Sequence, residues 1–197
     1  MLQRSGTYVI QASKGIMIMH TGLYDEDSPP IEDADIYAQS LPTPVQFVLN
    51  KKFTDKVREL EKDNIEGLTK ACFKLDFGHD GSGINRKYIT RGGGYYIDVG
   101  ASQLIIDGKI KVVQSPDGIK GFEPDTLVLA DGRKLDADIV VLATGYDNMR
   151  TSVRKIFGDK VASRCRDVWD LDEEGELNAV SNACYLAFCI YWSITDF

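Results

Sequence analysis

Histidine is scarce in this sequence, and its cysteines are not arranged as metal-binding or redox pairs. The chain has 2 histidines, His20 and His79, and 4 cysteines, none of which forms a CxxC pair. A zinc centre or a thioredoxin-type dithiol therefore has no sequence support, and we predict no metal site. A lone histidine is more often structural than catalytic, so we assign neither a catalytic role. The cysteine pattern fits a reduced protein, and we expect a cytoplasmic location.

The sequence also lacks an apolar run long enough to cross a membrane. The stretch "ACYLAFCIYWSI" at residues 183–194 is shorter than the roughly 18 apolar residues typical of a transmembrane helix. The opening "MLQRSGTYVI" has no basic region followed by an apolar core and a cleavage site, so it does not resemble a signal peptide. We predict no membrane span and expect residues 183–194 to form a buried strand or helix.

Positive charge is in deficit. The chain has 23 Lys and Arg against 30 Asp and Glu, which gives a formal net charge of -7. Nucleic acids and anionic membranes attract basic surfaces, so neither is the expected main partner, although a local basic site for phosphate is compatible with this charge. Hydrophobic residues make up 43% of the 197 residues. This is enough to form the buried core of one domain, or of one domain and part of a second.

Apolar patterns of two periods predict both strands and helices. The run "YVIQA" predicts a strand, and Pro44 is well placed in the first turn of a helix. The segment "VGASQLIID", preceded by Asp98 and followed by Gly108, predicts a short capped helix. One face of a single amphipathic helix is predicted by the spacing of Val57, Leu60, Asn64, Leu68 and Cys72.

Two glycine-rich stretches invite comparison with phosphate-binding loops. They are "FGHDGSG" at residues 77–83 and "RGGGYYIDVG" at residues 91–100. A phosphate loop needs its glycines between a strand and a helix. Arg86 stands where the third glycine of a GxGxxG pattern would belong, and the chain contains no GK[ST]. We interpret the glycines as loops and tight turns, with a phosphate cradle as the weaker alternative.

From Lys109 onward the apolar period is two. The segments "KIKVV", "GIKGFE", "TLVLA" and "RKLDADIVVLAT" predict an antiparallel β-meander over residues 109–143. Its last strand, residues 139–143, is apolar on both faces, which predicts the interior of a sheet. It ends at Thr144 and Gly145, where small residues would let the backbone approach a ligand. A tight turn after the strand explains the same residues about equally well.

The meander, an "ADG" turn and the segment "IVVLATGY" together resemble a passage of the flavin-containing monooxygenases. In that family this passage leads from the NADPH domain back to the FAD domain. The segment "QRSGTYVI" at residues 3–10 resembles the part that follows the second strand of the NADPH domain. The stretches "KLDFGHDGSG", "RGGGYYIDVGASQLI", "VRKIFGDKV" and "DVWDLDEEGEL" resemble a fungal-type branch, so the resemblance covers the chain to about residue 177.

This resemblance implies an α/β fold with a partial FAD/NAD(P)-binding, Rossmann-like domain. Residues 1–145 would form a partial NADPH-binding domain. It would contain a helical insertion at about 30–108 and the β-meander at 109–143. Residues 146–197 would form a partial return segment toward the FAD domain, ending in a divergent tail.

The resemblance also implies where the cofactors bind. Arg4 and Ser5 would meet the 2′-phosphate of NADPH, and Thr144, Gly145 and Tyr146 would lie where the nicotinamide nucleotide and FAD meet. At the corresponding strand end of dinucleotide folds an acid selects NAD, whereas an arginine accommodates the additional phosphate. Without the resemblance, an exposed surface arginine is the simpler interpretation of Arg4. No side chain is assigned a catalytic role, because the cofactors carry the chemistry.

The expected function is that of a fragment of a flavin-dependent monooxygenase-like oxidoreductase. Such an enzyme uses NADPH, FAD and O2 to oxygenate a small organic substrate. The family's two GxGxxG loops do not occur in these 197 residues, so we expect the chain alone to be inactive and to hold FAD weakly. Two alternatives stay open. One is a noncatalytic module that binds a homologue or itself through an exposed sheet, and the other is a nonfunctional truncated product.

Overall fold

The chain contains both helices and short strands, as predicted for the α/β class. The computed structural model describes residues 1–175, 177 and 178. The strands are β1 (Leu2–Gln3), β2 (Tyr8–Gln11), β3 (Tyr95–Asp98), β4 (Val113–Gln114), β5 (Ile119–Glu123), β6 (Thr126–Leu129) and β7 (Lys134–Asp136). The helices are α1 (Met17–His20), which continues a π-helical turn at Ala12–Ile16, α2 (Ile31–Gln39), α3 (Thr43–Leu60), α4 (Lys62–Lys70), α5 (Gly83–Arg91), α6 (Ala101–Ile106), α7 (Met149–Phe157) and α8 (Asp159–Ala162).

The described strands form three small sheets. Strand β1 pairs in parallel with β4, and β2 pairs in parallel with β3. Parallel strands require a crossover connection, and here helices lie in the stretches between the paired strands. Strands β5, β6 and β7 form a three-stranded antiparallel sheet. The fold is therefore mixed α/β.

Strand β2 lies between two apolar clusters. Val9 packs with residues of α4 and α6, among them Leu68 and Ile105. Tyr8 and Ile10 pack on the other side, against Val57 of α3. Successive side chains of a strand point to opposite faces, so both faces of β2 are covered, as is typical of parallel α/β sheets. The strand predicted from "YVIQA" is confirmed.

The single amphipathic helix predicted through residues 54–72 is wrong in one respect. The chain forms two helices, α3 and α4, which are separated at Glu61, a residue with φ -102° and ψ 20°. Val57 and Leu68 are buried as predicted, but Leu60 is 44% exposed and Cys72 is exposed. Because a buried carboxylate interrupts the helix at Glu61, the spacing on one side of the break does not continue on the other.

The meander predicted over residues 109–143 is partly confirmed. Strands β5 to β7 are antiparallel neighbours, but β4, from the segment "KIKVV", pairs in parallel with β1 instead. The prediction that residues 139–143 form an interior strand is wrong for the described chain. These residues are in no strand, and Ile139 and Val141 are 83% and 84% exposed. A strand with two apolar faces needs sheet neighbours, and no described strand lies beside it.

Two aspartates cap helix starts. The Asp98 carboxylate accepts hydrogen bonds from the backbone N–H groups of Gly100 and Ser102, both at 3.0 Å, as predicted for α6. Asp80 accepts a bond of 3.1 Å from the backbone N–H of Ser82 at the start of α5. This bond closes a local turn before α5. This arrangement supports interpreting the glycines of residues 77–83 as turns.

The later part of the chain contains α7 and α8 and then returns to α5. The ring of Trp169 lies over Gly92 at the end of α5, and the backbone N–H of Asp170 donates to the carbonyl of Ile89 at 3.1 Å. No helix in the described part of the chain is both long and apolar enough to span a membrane. The predicted buried element at residues 183–194 lies outside the described residues.

Candidate functional site

The loop between β1 and β2 presents Arg4 to solvent. Before it, the side-chain amide of Gln3 is buried, donates to the carbonyl of Lys74 and accepts from the N–H of Lys74, both at 2.9 Å. After it, Gly6 lies so close to Asp76 that an added Cβ would be 2.6 Å from the Asp76 Cβ. These contacts fix both ends of the loop. Within the described residues the exposed Arg4 guanidinium forms no ion pair or hydrogen bond, so its charge is available to an anion.

Thr144, Gly145 and Tyr146 lie on a stretch, residues 139–148, that contains no helix, turn or bend. Gly145 has φ +76°, in the left-handed region that favours glycine, and an added Cβ would meet no atom within 4 Å. Tyr146 is fully exposed. The space around Gly145 is open.

A cavity of about 650 Å³ lies between the first strand, the antiparallel sheet and this stretch. Its apolar walls come from β6, β7 and the segment after β7, and include Leu127, Leu135, Val140 and Leu142. Arg4 contributes the one cationic side chain of the cavity wall within the described residues. The cavity is thus apolar over most of its surface with a single guanidinium, an arrangement typical of sites for small organic anions.

The structure brings two of the five predicted site residues to this cavity. Arg4 and Thr144 both line it, whereas Ser5, Gly145 and Tyr146 do not. Sequence reasoning missed Asp136, which also lines the cavity, because the period-two pattern of β7 places it on the face opposite Leu135. It also missed Gly118, where an added Cβ would lie 3.9 Å from the Arg4 Cδ. The "PDG" turn signal identified this glycine as a turn but not as a neighbour of Arg4.

A buried polar cluster outside this cavity lies at the end of β2. Glu61 is 1% exposed, and its Oε1 accepts hydrogen bonds from the backbone N–H groups of Gln11 and Gly15 at 2.9 and 3.1 Å. Burial raises the pKa of the Glu61 carboxyl above its ordinary value, against the lowering effect of these hydrogen bonds. Burial, together with the charge of Glu61, raises the pKa of the Tyr8 hydroxyl to about 12. The cluster joins the break between α3 and α4 to the end of β2 and contains no activated nucleophile.

The described part of the chain offers few other side chains for metal binding or catalysis. Residues 1–175, 177 and 178 contain no group of three or more His, Cys, Asp or Glu side chains placed to hold a metal ion. The His20 Nδ1–H donates a hydrogen bond to the Ile16 carbonyl at 2.9 Å. Cys72 and Cys165 are free thiols. The cavity that holds Arg4 and Thr144 is therefore the candidate binding site.

Comparison with known proteins shows a local similarity to monooxygenases. A stretch of 50 residues is 50% identical to the probable indole-3-pyruvate monooxygenase YUCCA7 of Arabidopsis thaliana, 50% identical to YUCCA8 and 46% identical to YUCCA9. Each match covers 25% of this chain and 11% of the relative's length. No protein-family model matches the chain. A quarter of the chain is thus similar to monooxygenases, which suggests an enzyme-like relationship over that stretch.

Proposed function

We propose that this chain is part of a flavin-dependent monooxygenase-like oxidoreductase that uses NADPH, FAD and O2 to oxygenate a small organic substrate. One observation carries the proposal: Arg4, a cation without a partner in the described residues, lines the same cavity as Thr144. The local similarity to indole-3-pyruvate monooxygenases and the resemblance of the flanking motifs to flavin-containing monooxygenases support it. The activity belongs to the longer protein, and the chain alone is proposed to be inactive.

Arg4 and Ser5 are proposed to bind the 2′-phosphate of NADPH. A guanidinium forms a charge-assisted, bidentate pair with a phosphate, and NAD lacks that group. The Gln3 and Gly6 contacts hold the loop, so little backbone conformational freedom would be lost when the nucleotide binds. Asp136, on the same cavity wall, repels a phosphate and suits a hydroxyl donor such as a ribose. Its presence favours an orientation in which the phosphate lies at Arg4 and the sugar lies at Asp136.

Thr144, Gly145 and Tyr146 are proposed to lie where the nicotinamide nucleotide and FAD meet. Gly145 leaves open space around its backbone, and Tyr146 offers an exposed aromatic ring. When bound, FAD would supply the oxygen chemistry. This chain's residues would orient the nucleotide, and the apolar walls at Leu127 and Leu142 would exclude water from it.

Nucleotide titration tests the proposal. Wild-type protein, Arg4→Ala and Arg164→Ala are titrated with NADP⁺ and NAD⁺ by isothermal calorimetry. Arg164 is a matched control, because it is exposed, lies outside the cavity and forms no side-chain bond in the described residues. Arg4→Ala should weaken the binding of NADP⁺ by about 1.5–3 kcal/mol, the range for a hydrogen bond to a charged group, and leave the binding of NAD⁺ nearly unchanged. Arg164→Ala should bind both nucleotides nearly as tightly as the wild type. Equal losses for both nucleotides would contradict the 2′-phosphate assignment.

A noncatalytic interaction module is the second candidate function. The observation that favours it is the exposure of Ile139 and Val141, whose apolar side chains are 83% and 84% exposed in the described chain. Large exposed apolar surfaces are typical of interaction sites. A folded chain that binds neither NADP⁺ nor NAD⁺ would favour this candidate over the oxidoreductase.

A further inference from the structure

One turn joins the two sheets that carry the walls of the Arg4 cavity. Residues 115–118 connect β4, which pairs with β1, to β5, the first strand of the antiparallel sheet. Arg4 follows β1 directly, whereas Leu127 and Asp136 belong to β6 and β7, and all three line the cavity. The position of the Arg4 guanidinium relative to the Asp136 carboxylate therefore depends on how this turn holds the two sheets.

Ser115 forms hydrogen bonds to both sides of this turn. Its backbone N–H donates to the carbonyl of Gln3, the residue before Arg4, at 3.0 Å. Its hydroxyl donates to the carbonyl of Gly118 at 2.9 Å, and the same carbonyl accepts the N–H of Ala130, just after β6, at 3.0 Å. Ser115 is 1% exposed, so water has little access to its hydroxyl. One buried residue thus connects the end of β1 to the end of β6.

Gly118 extends this connection to the Arg4 side chain. The Gly118 N–H donates to the Ser115 carbonyl at 3.0 Å and closes the turn, in which Gly118 has φ +79°. Gly118 lines the cavity together with Arg4, and an added Cβ would lie 3.9 Å from the Arg4 Cδ. The Ser115 hydroxyl therefore fixes the carbonyl of a residue that lies next to the Arg4 side chain.

We propose that Ser115 is a positioning residue, which holds Arg4 and Asp136 at the spacing that lets one nucleotide contact both. This inference rests on the proposed function, in which the phosphate lies at Arg4 and the sugar at Asp136. Ser115 is not among the cavity-lining residues of the described chain, so it acts through the other two. Without its hydroxyl, the Gly118 carbonyl would keep the Ala130 bond, and the two sheets could shift relative to each other.

The size of the effect follows from the population of the correctly spaced site. A site that is competent for a fraction of the time binds its ligand more weakly by that fraction. Removing one neutral hydrogen bond changes such a population by about 2- to 10-fold. A ligand that needs both Arg4 and Asp136 should be weakened by this factor, whereas a ligand that needs Arg4 alone should be unaffected.

Two probes of different size test this difference. Wild type and Ser115→Ala are titrated with adenosine 2′,5′-bisphosphate by calorimetry, and with inorganic phosphate through the NMR signal of the Arg4 side chain. We expect Ser115→Ala to bind the bisphosphate about 2- to 10-fold more weakly and to bind phosphate like the wild type. Ser40→Ala is the matched control, because the Ser40 hydroxyl also donates to a carbonyl three residues away, at 2.8 Å, but outside the cavity. This variant should bind both probes like the wild type.

The outcomes separate this inference from the proposed function. Circular dichroism and a urea midpoint show whether Ser115→Ala is folded, and Ser115→Cys, with a side chain of similar shape and a weaker donor, replaces it if it is not. A variant that binds both probes like the wild type, or loses affinity for both equally, overturns the role of Ser115. The proposed function then stands if Arg4→Ala weakens the bisphosphate. A wild type whose affinity Arg4→Ala leaves unchanged overturns both.

Discussion

Removing the Glu61 side chain should destabilise the fold far more than removing a neighbouring glutamate. Glu61 is 1% exposed, and its carboxylate accepts the backbone N–H groups of Gln11 and Gly15. Glu61→Ala leaves both donors buried without an acceptor. An unsatisfied buried donor costs about 1–3 kcal/mol, so the two together predict a loss of about 2–6 kcal/mol in the free energy of unfolding. Domains of this kind have about 5–15 kcal/mol in total, so the effect should be large.

Urea denaturation monitored by circular dichroism measures this loss. Glu59→Ala is the matched control, because Glu59 is an exposed residue of α3 close to Glu61, and exposed substitutions usually stay within about 0.5 kcal/mol of the wild type. Glu61→Gln keeps an oxygen acceptor for the two N–H groups, so its loss should be smaller than that of Glu61→Ala. Equal stability of Glu61→Ala and Glu59→Ala would refute the argument that Glu61 holds the end of β2.

The stability of the wild type relative to Glu61→Gln should decrease as pH rises. Burial raises the pKa of Glu61 above its ordinary value of 4.5, so the folded state binds the proton more tightly than the unfolded state. The stability of the wild type relative to Glu61→Gln should therefore be greatest below pH 4.5. It should decline as pH rises from 4.5 to the higher folded pKa and then level off. A relative stability that rises with pH through this window would contradict the raised pKa.

Two further predictions concern packing and flavin. Gly92→Ala should lower the free energy of unfolding by at least about 1–2 kcal/mol, because Gly92 has φ +63° and an added Cβ would lie 2.2 Å from the Trp169 ring. Gly93→Ala, where a Cβ meets nothing within 4 Å, should be nearly neutral in the same urea titration. Without a GxGxxG loop in its 197 residues, the chain mixed with FAD should lose the flavin absorbance on desalting. A stoichiometric flavin band after desalting would contradict that expectation.

Local signals predicted much of the fold. The alternation of "YVIQA", the Asp98 cap and the turns before β5 and β7 depend on nearby residues, and each is present in the structure. The helix break at Glu61 was missed because its cause is a buried partner about 50 residues away, at the end of β2. The parallel pairing of β4 with β1 is likewise non-local. The hydrophobic period of a segment does not indicate which distant strand it pairs with.

The candidate site was predicted by residue type and not by geometry. Arg4 was identified because the family resemblance places it at a strand end where an arginine accommodates the additional phosphate, and Thr144 because small residues follow an apolar segment. Their joint presence in one cavity depends on the fold, as does the position of Asp136 in its wall. The apolar segment at residues 139–143 was assigned to a sheet from its composition. Composition shows that a segment favours strand neighbours, but not which strand provides them.

Binding of two small nucleotides tests the central claim most directly. The claim is that Arg4 forms a site for the phosphate that distinguishes NADP from NAD. Adenosine 2′,5′-bisphosphate and adenosine 5′-monophosphate differ at that phosphate alone, and each is titrated against wild type and Arg4→Ala. We predict that the wild type binds the bisphosphate about 10- to 150-fold more tightly, as one charged hydrogen-bond interaction provides, and that Arg4→Ala loses this preference. Equal affinities in the wild type, or a preference that Arg4→Ala retains, would contradict the account.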